Sequence, residues 1–162
     1  VEGGMTGSRT PSASDGGVRQ ERPIPSGAGP LNTSRNRRAD PIAEPWSHPA
    51  LEEGIRLFNR GEHWHAHEAW EPLWMGLEGD DKLFVQGLIM AAALLVQYGR
   101  RVPRGVGNHW ANVRLRLEPH LPAKWGIDVA GLLLQLRPYA EPVVAGDHRM
   151  GLDPARVRIG RR

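Results

Sequence analysis

Apolar positions in this chain recur at helical spacing in five stretches, and nothing beyond residues 156–159 reads as extended. Leu51, Ile55 and Phe58 fall at i, i+4 and i+7, which predicts a helix over 49–60 with Ser47 as N-cap and Pro49 in the first turn. Asn59-Arg60-Gly61 stops it, Gly61 supplying the left-handed residue past the last turn. A second helix is expected over 62–74. A third, over 80–98, opens on Asp80 and Asp81 at its dipole-favoured end. It is apolar nearly all round, as a central buried helix should be. Its one polar-small line is Gln86, Met90, Ala93 and Gln97, within about 40° of one another. Val106, Trp110, Val113 and Leu117 stripe a fourth helix that ends before Pro119. Asp128 caps a fifth, running to Leu136 and stopped by Pro138. The expectation is an all-α fold, a small five-helix bundle around a central buried helix.

Composition changes the picture at the ends. Residues 1–42 are rich in Gly, Pro, Ser and Arg without an apolar period, so they read as a disordered N-terminal linker. Residues 43–140 form the helical domain, and 141–162 return to Gly, Pro and Arg as a disordered basic C-terminal tail. The chain opens on Val1, with Met5 a candidate start. Its formal charge of +3 comes largely from Arg35, Arg37 and Arg38 and from Arg156, Arg158, Arg161 and Arg162. Nucleic acid is expected only through these tails, since no basic patch interleaved with aromatics shows in the helical part. The absence of cysteine excludes disulfides, thiolate metal sites and thiol nucleophiles, and fits a cytoplasmic setting. The apolar run 83–98 is broken by Gln86, Gly87 and Gln97 and is shorter than the ~20 residues a bilayer requires, so no membrane partner is expected. Self-association stays open.

Candidate chemistry concentrates in residues 63–74, HWHAHEAWEPLW. On a helical wheel His63, Glu71 and Trp74 lie within about 40° of His67, and Trp64 and Trp70 flank it at about 60°. Glu68 falls at the margin and His65 faces away. Pro72 removes a backbone donor and predicts a kink or a restart. His67-Glu68-x-x-Glu71 is one substitution from the zinc helix His-Glu-x-x-His, which makes His63, His67 and Glu71 the candidate metal ligands. A straight helix spreads those three over about 12 Å, so only an adjacent pair can share an ion. The remaining donors would come from His109, His120 or Asp128. The catalytic candidates are therefore His67, Glu68 and Glu71, lined by Asn59, Trp70, Trp74, Gln86 and Asn108. A polar packing network accounts for the same residues: Asn59, Gln86, Asn108 or an arginine can hold the carboxylates, and the tryptophans serve as core. His63 and His65 are expected at the rim. Ser47 is the only serine of the helical part, so no nucleophilic triad can be assembled.

Ordered blocks along the helical part carry a family resemblance. Phe58-Asn59-x-Gly61-Glu62, His67-Glu68-Ala69-Trp70-Glu71, Trp74, Phe84-x-Gln86-Gly87-Leu88-Ile89, Ala91, Gly107-Asn108 and Leu115 together resemble the bacterial and archaeal family catalogued as domain of unknown function 309. The resemblance covers residues 51–117. It implies an all-helical fold and a single cluster of His67, Glu68, Glu71, Gln86 and Asn108. Two positions depart from the family pattern: Gln97 stands where a histidine is usual, and Pro72 is atypical. Two functions follow as expectations. One is a metal-assisted hydrolase or small-molecule site in a His/Glu/Gln/Asn pocket, with a divalent metal the only cofactor the pattern invites. The other is a non-catalytic interaction module whose cluster is packing.

Overall fold

In the computed structural model, which describes residues 41–162, the Leu51–Ile55–Phe58 stripe becomes the buried side of helix α1 (Pro49–Asn59). The disorder expected over 1–42 falls, up to residue 40, outside the described residues; Ile42 packs on Gly76. His48 rather than Ser47 caps α1, its Nδ1 accepting from the Ala50 amide at 3.1 Å, while the Ser47 hydroxyl turns back to the Glu44 carbonyl. Gly61 reverses the chain at φ 79° as expected, and α2 (His63–Met75) follows. It continues through Pro72, so the expected restart there does not occur.

The remaining helices are α3 (Gly79–Gly99), α4 (Pro103–Leu117) and α5 (Val129–Val144). Helix α4 starts ahead of its apolar stripe because Pro103 enters the first turn, where a missing N–H costs nothing. Helix α5 runs past the expected stop at Leu136, through Pro138 and Pro142. Tyr139, Ala140 and Val143 are buried there, and their packing outweighs the lost backbone bonds. Asp128 caps α5 as expected, accepting from the Gly131 amide at 3.0 Å. Between α4 and α5 a short hairpin pairs β1 (Ala123–Lys124) with β2 (Ile127–Asp128).

Consecutive helices pack on one another, and α3 lies between α2 and α4. Helix α3 is long and apolar enough to cross a membrane by length and composition; here 56% of that window is buried inside the fold, where it forms the central rod. The tightest helix contact joins α1 to α2. The fully buried Trp70 indole lies against Gly54, where even a Cβ would overlap its ring, and Nε1 donates to the Leu51 carbonyl at 3.2 Å.

The disordered C-terminal tail is corrected. After α5 the chain folds back and buries Met150, Val157 and Ile159. The Asn59 amide clamps Ile159 on both sides, Nδ2 donating to its carbonyl at 3.0 Å and Oδ1 accepting from its N–H at 2.7 Å. Gln135 does the same for Arg158, at 2.9 Å on each side. Tyr139 donates to the Asp153 carbonyl at 2.7 Å, Arg161 pairs with Glu52, and Arg162 pairs with Asp128 at 3.0 Å. Three scattered apolar residues make no period. Side-chain amides far back in the chain satisfy the segment's backbone, so composition alone conceals its order.

Gly54→Ala should cost about 3 kcal/mol, because neither the helix backbone nor a fully enclosed indole can yield. Chemical denaturation measures this; Gly151→Ala, with open space around the new carbon, is the control and should stay within about 0.5 kcal/mol.

Candidate functional site

Helix α2 turns His63, Ala66, Trp70 and Leu73 into the core. That buried arc is centred about 80° from His67, so the expected face divides. Trp70 is core. His67 and Trp74 are half-buried at the edge, while Glu68 and Glu71 are exposed. His65 faces solvent, as expected.

His63 is not a rim residue. Only 6% of it is exposed, and its ring meets Phe58 edge-on at 4.9 Å. Burial, with the Arg158 charge adding and Asp153 opposing, lowers its pKa to about 4. The charges that act on it, Arg158 and Asp153, belong to the C-terminal segment, which the sequence presents as a free tail. The other distant metal candidates serve the opposite end of the bundle. His120 is buried edge-on against Phe84 with Nδ1 at 3.8 Å from Asp80, its pKa lowered first by burial and then by Lys124. Asp128 is spent as the α5 cap. Among the described residues no three His, Asp or Glu side chains converge to hold a metal ion, so the candidate set His63, His67 and Glu71 is not assembled and no metal fits it.

Helix α3 packs against both α2 and α4, and helical geometry outlines a shallow cleft between those two walls with α3 as its floor. On one flank of α3, Lys82 lies over the Trp74 ring at 4.7 Å and Arg100 over the Trp64 ring at 5.9 Å. On the other flank, Gln97 abuts Gly105 and Gln86 accepts from Arg116 Nε at 2.8 Å. The half-buried line Gln86–Met90–Ala93–Gln97 therefore forms the floor. His67 on α2 and His109 on α4 lie near enough for the charge of one to act on the other: the pKa of His109 is lowered by burial and then by the charge of His67.

On the α2 wall, His67 stacks flat on Trp64, with centroids 5.3 Å apart and 4° between planes, and its Nδ1 lies 3.5 Å from Glu71 Oε1. That Nδ1 and the Trp74 Nε1 are buried and make no hydrogen bond. On the α4 wall, Arg116 also bonds Asn112 Oδ1 at 2.6 Å, and Asn112 in turn donates to the Asn108 carbonyl at 2.9 Å.

The eight expected site residues thus separate. His67, Glu71, Trp74 and Gln86 share the cleft. Asn59 is the C-terminal clamp, Trp70 is core, and Glu68 and the Asn108 side chain lie exposed on other faces. The sequence reading names Trp64 only as a flank of His67 and His109 only as a distant metal donor, and it misses Asn112 and Arg116. A signal existed: Gly105, His109, Asn112 and Arg116 fall within about 60° on one flank of the α4 stripe.

Comparison with known proteins agrees with the resemblance read from the sequence. Residues 51–108 match the family model described as Domain of unknown function (DUF309), a description that names no activity. No curated protein and no solved structure matches the chain.

Stability should fall on acidification. A histidine whose folded pKa lies near 4 and whose unfolded pKa is 6.5 takes up its proton first in the unfolded state, so stability drops as pH falls through that window. The loss from His63 is on the order of 2–3 kcal/mol at pH 4. Denaturant titrations at neutral and acid pH measure it, and His63→Leu should flatten the profile; an unchanged slope would show that His63 is not the group responsible.

Proposed function

We propose that the chain is a ligand-binding module and that its site is the α2/α4 cleft. The observation that carries this reading is the pair Trp74 Nε1 and His67 Nδ1. Both are buried without a hydrogen-bond partner, and they lie about 20° and 10 Å apart along one line of α2. A buried polar group left unmet costs about 1–3 kcal/mol; two in register along a cleft form a ready-made pair of contacts for a bound molecule. The charges around them define its class. Lys82 and Arg116 outnumber the single carboxylate of Glu71, which favours a small molecule bearing a carboxylate or phosphate. Its anionic group would accept from Trp74 Nε1 beside Lys82, and its other end would meet His67.

The hydrolase reading is the weaker one. Glu68 points away from His67, Glu71 is half exposed, and the donors do not converge on a metal. The packing-network reading describes the other wall well, since Gln86, Arg116, Asn112 and Asn108 already satisfy one another.

Thermal-shift measurements with a panel of small carboxylates and phosphates test the binding reading. Trp74→Phe keeps the ring and deletes the N–H. At least one compound should raise the melting temperature of the wild type, and raise it much less in Trp74→Phe and in His67→Phe. If no compound acts, and Trp74→Phe by itself is stabilising, the unmet N–H is only a cost and the reading fails. Metal analysis of untagged protein should return well under one equivalent; near-stoichiometric zinc, iron or manganese that disappears in His67→Ala would replace the binding site with a metal site.

A further inference from the structure

The two ends of the bundle differ in charge. Asp80, Asp81, Glu78 and Glu118 gather where α3 begins and α4 ends. At the other end, Arg100, Arg101 and Arg104 fill the turn from α3 into α4. All three are exposed, and none forms an ion pair among the described residues, whereas the acids of this end are engaged. Glu62 pairs with Arg60 at 3.1 Å and with His65, Asp147 pairs with Arg149 at 2.6 Å, and Asp153 accepts from the Ala155 amide at 3.0 Å.

Helix capping explains part of this cluster. Arg100 and Arg101 follow the α3 C-terminus, where the helix dipole favours cations. It does not explain Arg104, which stands in the first turn of α4, where the dipole disfavours a cation and no acid is present. Nor does it explain Arg101 at φ 58°, a backbone conformation that suits glycine or asparagine better.

An aromatic platform adjoins Arg100, while Arg101 reaches the Arg149 carbonyl at 3.5 Å. Trp64 is 50% exposed, held flat by its stack on His67, with the Arg100 guanidinium over the ring at 5.9 Å. The sequence separates Trp64 from Arg100 by almost the whole of α2 and α3, so a basic patch interleaved with an aromatic arises only on folding. Arg158, Arg161 and Arg162 of the C-terminal segment are already tied to backbone carbonyls, Glu52 and Asp128.

We propose that this end of the bundle binds single-stranded nucleic acid, a base stacking on Trp64 while successive phosphates pass over Arg100, Arg101 and Arg104. Guanidinium groups meet phosphate oxygens in pairs of hydrogen bonds, and a half-exposed indole accepts any base on its face. A lipid surface fits less well, because Val102 is the only exposed aliphatic side chain of the turn. This site shares the Trp64–His67 stack with the wall of the α2/α4 cleft, whereas Arg101 and Arg104 stand outside that cleft.

Fluorescence anisotropy of the whole chain with a labelled oligothymidine of about twelve nucleotides, titrated at several salt concentrations, tests the proposal. The triple variant Arg100→Gln, Arg101→Asn, Arg104→Gln should bind at least tenfold more weakly at low salt. Its log–log salt slope should fall by about 2, from three phosphates at about 0.7 each. Asparagine is chosen at 101 because it tolerates the left-handed backbone. Trp64→Leu should weaken binding several-fold with the slope unchanged. Arg104→Gln alone, at an exposed position, keeps the test valid should the triple variant melt early. Three results would overturn the proposal: no binding by the wild type; full binding by the triple variant and by Arg104→Gln, which would assign the affinity to Arg35, Arg37 and Arg38; or phosphatidylserine vesicles captured through the same arginines while the oligonucleotide is ignored.

Discussion

The fit of Trp70 against Gly54 is the contact on which the rest of this fold depends. It brings α1 and α2 to a separation that no side chain at position 54 would permit, and it uses the indole N–H to tie the two helices at the Leu51 carbonyl. With Trp70 directed inward, the rotation of α2 is decided for every other residue on it. His63 and Leu73 must enter the core, and His67 and Trp74 come to rest at the edge facing α4. A cleft that looks like a local arrangement of polar residues is thus set by an apolar contact on the far side of the same helix.

Helix periodicity made most of the architecture readable. The stripes of Leu51, Ile55 and Phe58 and of Val106, Trp110, Val113 and Leu117 announce their helices, and the all-round apolar character of α3 announces a central rod. What periodicity could not convey was the phase of α2. Its tryptophans and histidines are distributed around the helix, so any of several faces could have been the buried one, and a wheel centred on His67 missed by a quarter turn. The same limit hid the C-terminal segment, whose order rests on Asn59 and Gln135 acting as backbone partners across long stretches of chain. Asn112 and Arg116 escaped notice because a residue beside an apolar stripe acquires meaning only once the facing helix is known.

Polar side chains in this protein divide by whether their needs are met. Gln86, Arg116 and Asn112 close a chain of hydrogen bonds on the α4 wall, as do Asn59 and Gln135 around the C-terminal segment. Such groups fix packing. The α2 wall leaves Trp74 and His67 unmet, although both sit where a partner could reach them. A helix tolerates this when its other contacts are strong, and the buried Trp70 and Leu73 provide them.

The Asn59 clamp on Ile159 joins residues a hundred positions apart. During synthesis α1 and α2 emerge long before the segment that covers them, so the first helical hairpin must wait with His63 uncovered and the amide of Asn59 turned to water. Contacts of such long sequence separation form late and slow the final approach to the native state. The segment that reaches Ile159 therefore closes the bundle along α1, and without it that helix keeps an open seam with the Asn59 amide unpaired.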